Sequence, residues 1–252
     1  MTLQRLSSFV GEASGVNAFL AVAPVSSECV SVELRKRARL LHVNHQEPYV
    51  LSRLAASAAL SSTLNASILF VGAREEARQY GAILSLSHED AVGGAVAWRD
   101  NAPFAFGIDV VDIKRVAYVR RRFSHFGARW MPRCQPSSLD AADLTYVQRT
   151  YGDCIDPVDV VLAQHWGLRE CCVKLVGIVG RSFPFECFRG PVALFPSHFE
   201  AHVIGCGGEA LQSAGLHSNL FVSSWPHVLR QPSGEERTFV TVVAACPRTQ
   251  RR

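Results

Sequence analysis

The spacing of hydrophobic and polar positions changes period several times along the chain. From Val50 to Leu64, Leu and Ala recur as they do on a helix buried along one side, and Ser67 to Val71 reads as a short buried strand. Residues 15 to 32 carry apolar runs broken by Pro24 and two serines, a strand followed by a turn. The segments A-I-L-S-L-S-H (82–88) and A-V-G-G-A-V-A-W (91–98) predict two strands joined by a tight connection containing Glu89 and Asp90. Phe104, Phe106, Ile108 and Val110 alternate with Ala105, Gly107 and Asp109, which predicts a strand with one apolar face.

Helix punctuation is strongest after Asp156. Its carboxylate can accept from free first-turn amides, Pro157 suits the first helical position, and Gly177 is placed to end the helix in a left-handed conformation. Val158, Val161, Leu162, Leu168, Cys172 and Val176 recur between them at helical spacing and predict a core face. Trp166, Glu170 and Lys174 form a second stripe beside it, each four residues apart. Further on, Val192 to Phe195, Ala201 to Ile204 and Thr238 to Ala245 read as strands of an antiparallel sheet. The pattern predicts an α+β protein with a boundary near residues 99 to 103, giving halves 1–102 and 103–252.

Composition narrows the class. The 252 residues are 48% hydrophobic and 19% charged, the balance of a globular domain. No apolar run is long enough to cross a bilayer, because Ser, Thr and Asn interrupt the stretch from Leu54 to Val71. The net charge of +4 is concentrated at Arg35, Lys36, Arg37 and Arg39 and at Arg120, Arg121 and Arg122. Such runs suit phosphate, an acidic protein surface or simple solvation. No nucleic-acid-binding motif accompanies them, and no nucleic-acid partner is expected. The eight cysteines form no C-x-x-C pair, and adjacent Cys171 and Cys172 suit neither a disulfide framework nor zinc, so reduced thiols are expected. The N-terminus lacks a secretory signal, and Glu12 departs from the acid-free pattern of a transit peptide; the expected compartment is the cytosol, with the mitochondrion as alternative.

Three blocks carry chemistry: S-L-S-H (85–88), G-I-D-V-V-D-I (107–113) and W-G-L-R-E-C-C-V-K (166–174). In this order they resemble the 4'-phosphopantetheinyl transferases, specifically the monomeric branch typified by the activator of surfactin synthetase and the animal cytosolic enzyme. The likeness covers roughly residues 83 to 180. The second block is also similar to the Gly-Ile-Asp segment of the small holo-acyl-carrier-protein synthases. The resemblance implies a monomer of two pseudo-symmetric α+β halves with the active site between them. It implies Mg²⁺-dependent transfer of the phosphopantetheine arm of coenzyme A to a serine of an apo-acyl or peptidyl carrier protein, without nucleic acid or membrane.

It further implies that Asp109 and Glu170 hold Mg²⁺, that Glu170 or a metal-held water takes the serine proton, and that Lys174 stabilises departing charge. His88 meets the 3'-phosphate of coenzyme A, and Lys36 or Arg37, with Arg74 and Arg169, binds its charged nucleotide end. Arg169 stands where the family has lysine, which keeps a phosphate-binding role but not a general-base role. Val111 stands where surfactin-type enzymes carry a second acid, and Asp112 points to the opposite strand face. Taken alone, Asp109 reads as a strand-end turn residue and Glu170 as an exposed helix acid. Two other classes of function remain: a noncatalytic relative that binds coenzyme A or a carrier protein, and a nucleic-acid-binding domain.

Overall fold

A computed structural model describes residues 1–7, 9–10, 15–25, 30–123, 139, 141–153, 155–177, 188–189, 198–230, 234 and 236–249. The chain divides into two compact units, Met1–Val110 and Val111–Arg252. Each combines helices with antiparallel strands, the α+β class that the sequence predicts.

In the first unit, strands β1 (Thr2–Leu6), β2 (Asn17–Val22), β3 (Ala82–Glu89) and β4 (Val92–Arg99) lie in the order β1–β2–β4–β3, every neighbour antiparallel. The β3–β4 hairpin turns at Asp90, whose φ of 28° is positive, a conformation that aspartate tolerates better than most residues. Helices α1 (Val32–Ala38) and α2 (Val43–Leu64) follow β2, and a 3-10 helix spans Arg74–Tyr80. Strand β5 (Phe104–Asp112) begins in this unit and ends in the second.

Adjacent glycines in β4 let two elements approach opposite faces of the sheet. A Cβ on Gly93 would lie 2.2 Å from the Ser52 amide nitrogen of α2, whereas one on Gly94 would meet Ile108 and Val110 of β5 at 3.2 and 3.1 Å. The α2 face is lined with small residues, Ala55, Ala56 and Ala59, which pack on Ala21, Ala95 and Ala97 of the sheet. Ring contacts continue the other face, with Trp98 and Phe106 centroids 5.4 Å apart.

Three sequence expectations need correction in this unit. Helix α2 begins at Val43, not Val50, with His42 at its N-cap and Pro48 inside it; the proline and the polar run Asn44–Glu47 mask the first turns. Residues 67–71 form no strand: the segment pairs with side chains of α2 instead of a strand partner. Finally, β5 is buried along nearly its whole length and not on one face only. The Ser85 and Ser87 hydroxyls of β3 accept from its Ile108 and Val110 amides at 3.3 and 3.1 Å.

The second unit contains α3 (Ile113–Arg122), α4 (Ala141–Tyr151), α5 (Pro157–Val176), β6 (Phe188–Arg189), β7 (His198–Val203), α6 (Gly205–Ser213), β8 (Asn219–Arg230) and β9 (Glu236–Pro247). Its strands run in the order β9–β8–β7–β6, all antiparallel. Helix α5 has the predicted ends: Asp156 accepts from the Val158 amide at 2.9 Å, Pro157 opens the helix, and Gly177 closes it at φ 70°. The predicted core residues of α5 are buried, apart from half-buried Val176. Gly167 brings the helix close to β9, where a Cβ would lie 2.8 Å from Val242 Cγ2. The expected strand Val192–Phe195 lies outside the described residues. Among those described, no helix is long and apolar enough to cross a membrane.

Candidate functional site

The first two blocks meet at one carboxylate. Ser87 follows the β3 alternation that turns Ser85 and Ser87 toward β5, and its hydroxyl donates to Asp109 Oδ1 at 2.7 Å while accepting from the Val110 amide. Asp109 is buried, with 8% of its surface exposed. Its carboxylate is thus aimed by a hydroxyl anchored to the same strand, an orientation that a flexible loop acid lacks. His88, one residue past Ser87 and opposite Gly93, points away from this buried pair and is exposed, as a residue on the opposite strand face must be.

Basic residues gather along the segment from Val71 to Arg74. Arg37 pairs with Glu33 at 3.4 Å and extends an Nη1 to the Val71 carbonyl at 3.5 Å. Arg74 opens the 3-10 helix and pairs with Glu75 at 2.8 Å, which holds the Glu75 carboxyl below its usual range. Lys36 is exposed on α1. Arg53, which lies outside the three motif blocks, donates from Nε to the Gly72 carbonyl at 2.9 Å and lies 4.3 Å from the centroid of the Tyr49 ring. Burial lowers its pKa, although the Tyr49 contact opposes that shift. A tyrosine four residues before an arginine on one helix face is the sequence signal that finds it.

In the second unit the third block occupies α5. Trp166, Glu170 and Lys174 are half-buried, as the stripe predicts, and Arg169 Nη1 donates to Glu170 Oε1 at 2.9 Å. Cys171 is fully buried, with Sγ 3.4 Å from the Val242 carbonyl, so it packs. Val111 is 5% exposed, and its Cγ2 lies 3.4 Å from where a Gly167 Cβ would stand. It is a core side chain, and a carboxylate there would be buried among apolar groups. Asp112 caps α3 by accepting from the Lys114 amide at 2.8 Å and pairs with Arg237 at 2.5 Å. It is committed to structure.

The arginine run at the end of α3 is divided in its tasks. Arg120 donates to Asp159 at 2.6 Å and also to Asp156, fastening α3 to the start of α5. These bonds raise the Arg120 pKa, while burial raises the Asp159 carboxyl and Arg120 only partly offsets that shift. Arg120 is therefore committed to holding the two helices together. Arg121 and Arg122 are exposed beside exposed Lys114 and Tyr118.

Asp109 belongs to the first unit and Glu170 to the second. Among the described residues, no group of three or more His, Cys, Asp or Glu side chains is arranged to hold a metal ion. Mg²⁺ usually takes one or two protein carboxylates and completes its octahedron with water and substrate phosphate. No family model matches the chain, and no curated protein matches it at a significant level.

Proposed function

We propose that the protein is a 4'-phosphopantetheinyl transferase that moves the arm of coenzyme A to a carrier-protein serine and releases adenosine 3',5'-bisphosphate. The observation that carries the reading is the Ser87 hydroxyl on the Asp109 carboxylate at 2.7 Å, because it joins two of the three motif blocks at the residue the chemistry needs. In this reading the two units are the pseudo-symmetric halves, and Asp109 and Glu170 hold one Mg²⁺, which when bound neutralises the diphosphate. His88, Arg74, Arg169 and Lys36 or Arg37 bind the charged nucleotide end of coenzyme A. Lys174 stabilises the departing phosphate, and Glu170 or a water takes the serine proton. The exposed residues Arg121 and Arg122 steer an acidic carrier helix, an encounter that salt screens. The protein acts as a monomer in the cytosol, with the mitochondrion as alternative.

A noncatalytic relative is the second reading, favoured by the burial of Val111 where surfactin-type enzymes place an acid. Incubation with coenzyme A, Mg²⁺ and a panel of apo-carrier proteins, followed by intact mass measurement, separates the two. Added phosphopantetheine, lost in Asp109→Ala and Glu170→Ala, is expected. Wild-type transfer in either variant overturns the site, and coenzyme A binding without transfer selects the second reading.

A further inference from the structure

The segment 68–72 belongs to no strand, and α2 supplies hydrogen-bond partners to it from side chains. The Ser61 hydroxyl accepts from the Ile68 amide at 3.0 Å, and the Ser57 hydroxyl accepts from the Phe70 amide at 2.9 Å. The Tyr49 hydroxyl donates to the Val71 carbonyl at 2.8 Å, and Arg53 Nε donates to the Gly72 carbonyl at 2.9 Å. These four residues lie at four-residue intervals on one face of α2, so one stripe of the helix reads out one stretch of backbone.

The two ends of this stripe differ in chemistry. Ser57 and Ser61 make neutral bonds beside the apolar core, where Phe70 is 2% exposed. Arg53 makes a charged bond, stacks on Tyr49, and donates from Nη1 to the Ser52 hydroxyl at 3.1 Å. It grips the last carbonyl before the chain turns into Ala73 and Arg74. Arg37 reaches the neighbouring Val71 carbonyl. A half-buried guanidinium held on a neutral carbonyl costs desolvation that a neutral donor would not incur. Its lowered pKa agrees with that cost.

We infer that Arg53 is a positioning residue for nucleotide binding: through Gly72 it fixes the segment from which Arg74 projects and to which Arg37 is tied, and so sets the affinity for the phosphates of coenzyme A. The inference rests on the transferase reading above, and Arg53 itself touches neither substrate nor reacting atoms. Gly72 belongs to the same device, because a side chain there would collide with the Glu76 carboxylate, which accepts from the Ala73 amide at 2.9 Å.

The test compares Arg53→Gln, Arg53→Lys and Ser57→Ala in the full chain, with coenzyme A affinity by calorimetry, KM and kcat in the transfer assay, and melting temperature. Ser57→Ala loosens the same segment at its core end and serves as the control. Arg53→Gln is expected to raise the Kd and KM for coenzyme A about tenfold, as loss of one charge-assisted bond does, with kcat within about twofold of wild type. Arg53→Lys should recover part of the affinity, and Ser57→Ala should lower the melting temperature and leave the Kd unchanged. An Arg53→Gln protein that binds coenzyme A like wild type overturns the inference alone. So does a Ser57→Ala protein that loses affinity equally, since general loosening then explains both. Wild-type protein that binds no coenzyme A overturns the transferase reading and this inference with it.

Discussion

Each unit packs one long helix on antiparallel strands, and the closest approach is made from opposite sides. In the first unit the glycine is in the strand: a Cβ on Gly93 would meet backbone of α2, Ser52 N at 2.2 Å and Leu51 C at 2.3 Å. In the second the glycine is in the helix, and a Cβ on Gly167 would meet the side chain of Val242, Cγ2 at 2.8 Å and Cβ at 3.1 Å. Backbone of a 22-residue helix cannot move aside at one point, whereas a valine can be trimmed or turned. The first interface therefore has less freedom to accept a change, and its alanine lining on α2 follows from the same closeness.

Gly93→Ala is the sharpest way to break this comparison. It is expected to cost about 3 kcal/mol or more in urea unfolding, with no rescue from trimming Leu51 or Ser52, since the clash is with backbone. A loss below about 1 kcal/mol would mean that α2 can shift, and the contrast between the units would disappear.

The units also differ in how their buried polar groups are satisfied. In the first, Thr63, Ser85, Ser87 and Asn17 all have partners, and Trp98 Nε1 alone among the described buried side-chain atoms there lacks one. In the second, Gln164 Oε1, His227 Nε2, Thr238 Oγ1 and Thr241 Oγ1 have no hydrogen-bond partner among the described residues. His227 gives this difference a pH dependence. Burial lowers its pKa to about 4 from an ordinary value near 6.5. Between those values the unfolded chain binds the proton and the folded chain does not, so stability is full above about pH 6.5 and falls as pH drops toward 4. The fall should be about 3 kcal/mol across that window. His227→Leu should flatten this part of the stability curve, and an unchanged slope would assign it to carboxylates.

Gly167→Ala should cost less than Gly93→Ala, about 1 to 2 kcal/mol, and Val242→Ala in the same protein should recover part of that loss. Additive losses in the double variant would show that Val242 is not what limits the approach. The expected ordering of the two glycine variants follows from which atoms stand in the way, since both glycines are buried.

Legibility from sequence follows the same divide. Helix α5 was readable to its ends because Asp156, Pro157 and Gly177 each act locally on the backbone. Helix α2 was readable only from Val50, because His42 is an unusual cap and Pro48 ordinarily argues against a helix. The segment 67–71 has a strand's composition, but its partners are serines, a tyrosine and an arginine one helix away, and no local rule contains that pairing. At the candidate site, the motif order led to Asp109 and His88, whereas the Ser87–Asp109 bond depends on where β3 lies beside β5. Arg120 looked like its two neighbours and differs from them only because Asp156 and Asp159 lie across from it.

The smallest expected effect tests the helix ends that this divide concerns. Both long helices stop in the left-handed region, α2 at Asn65 with φ 52° and α5 at Gly177 with φ 70°. Glycine enters that region without a Cβ penalty, and asparagine enters it more easily than other residues with side chains. Asn65→Gly should therefore stabilise by about 0.5 kcal/mol, and Gly177→Asn should cost a similar amount, both small beside the interface variants. The Asn65 amide donates to the Ser61 carbonyl through its backbone, so the substitution keeps that bond and changes only the conformational term. If Asn65→Gly destabilises instead, the asparagine side chain does work at the end of α2 beyond its backbone geometry, and the two helix ends are not equivalent.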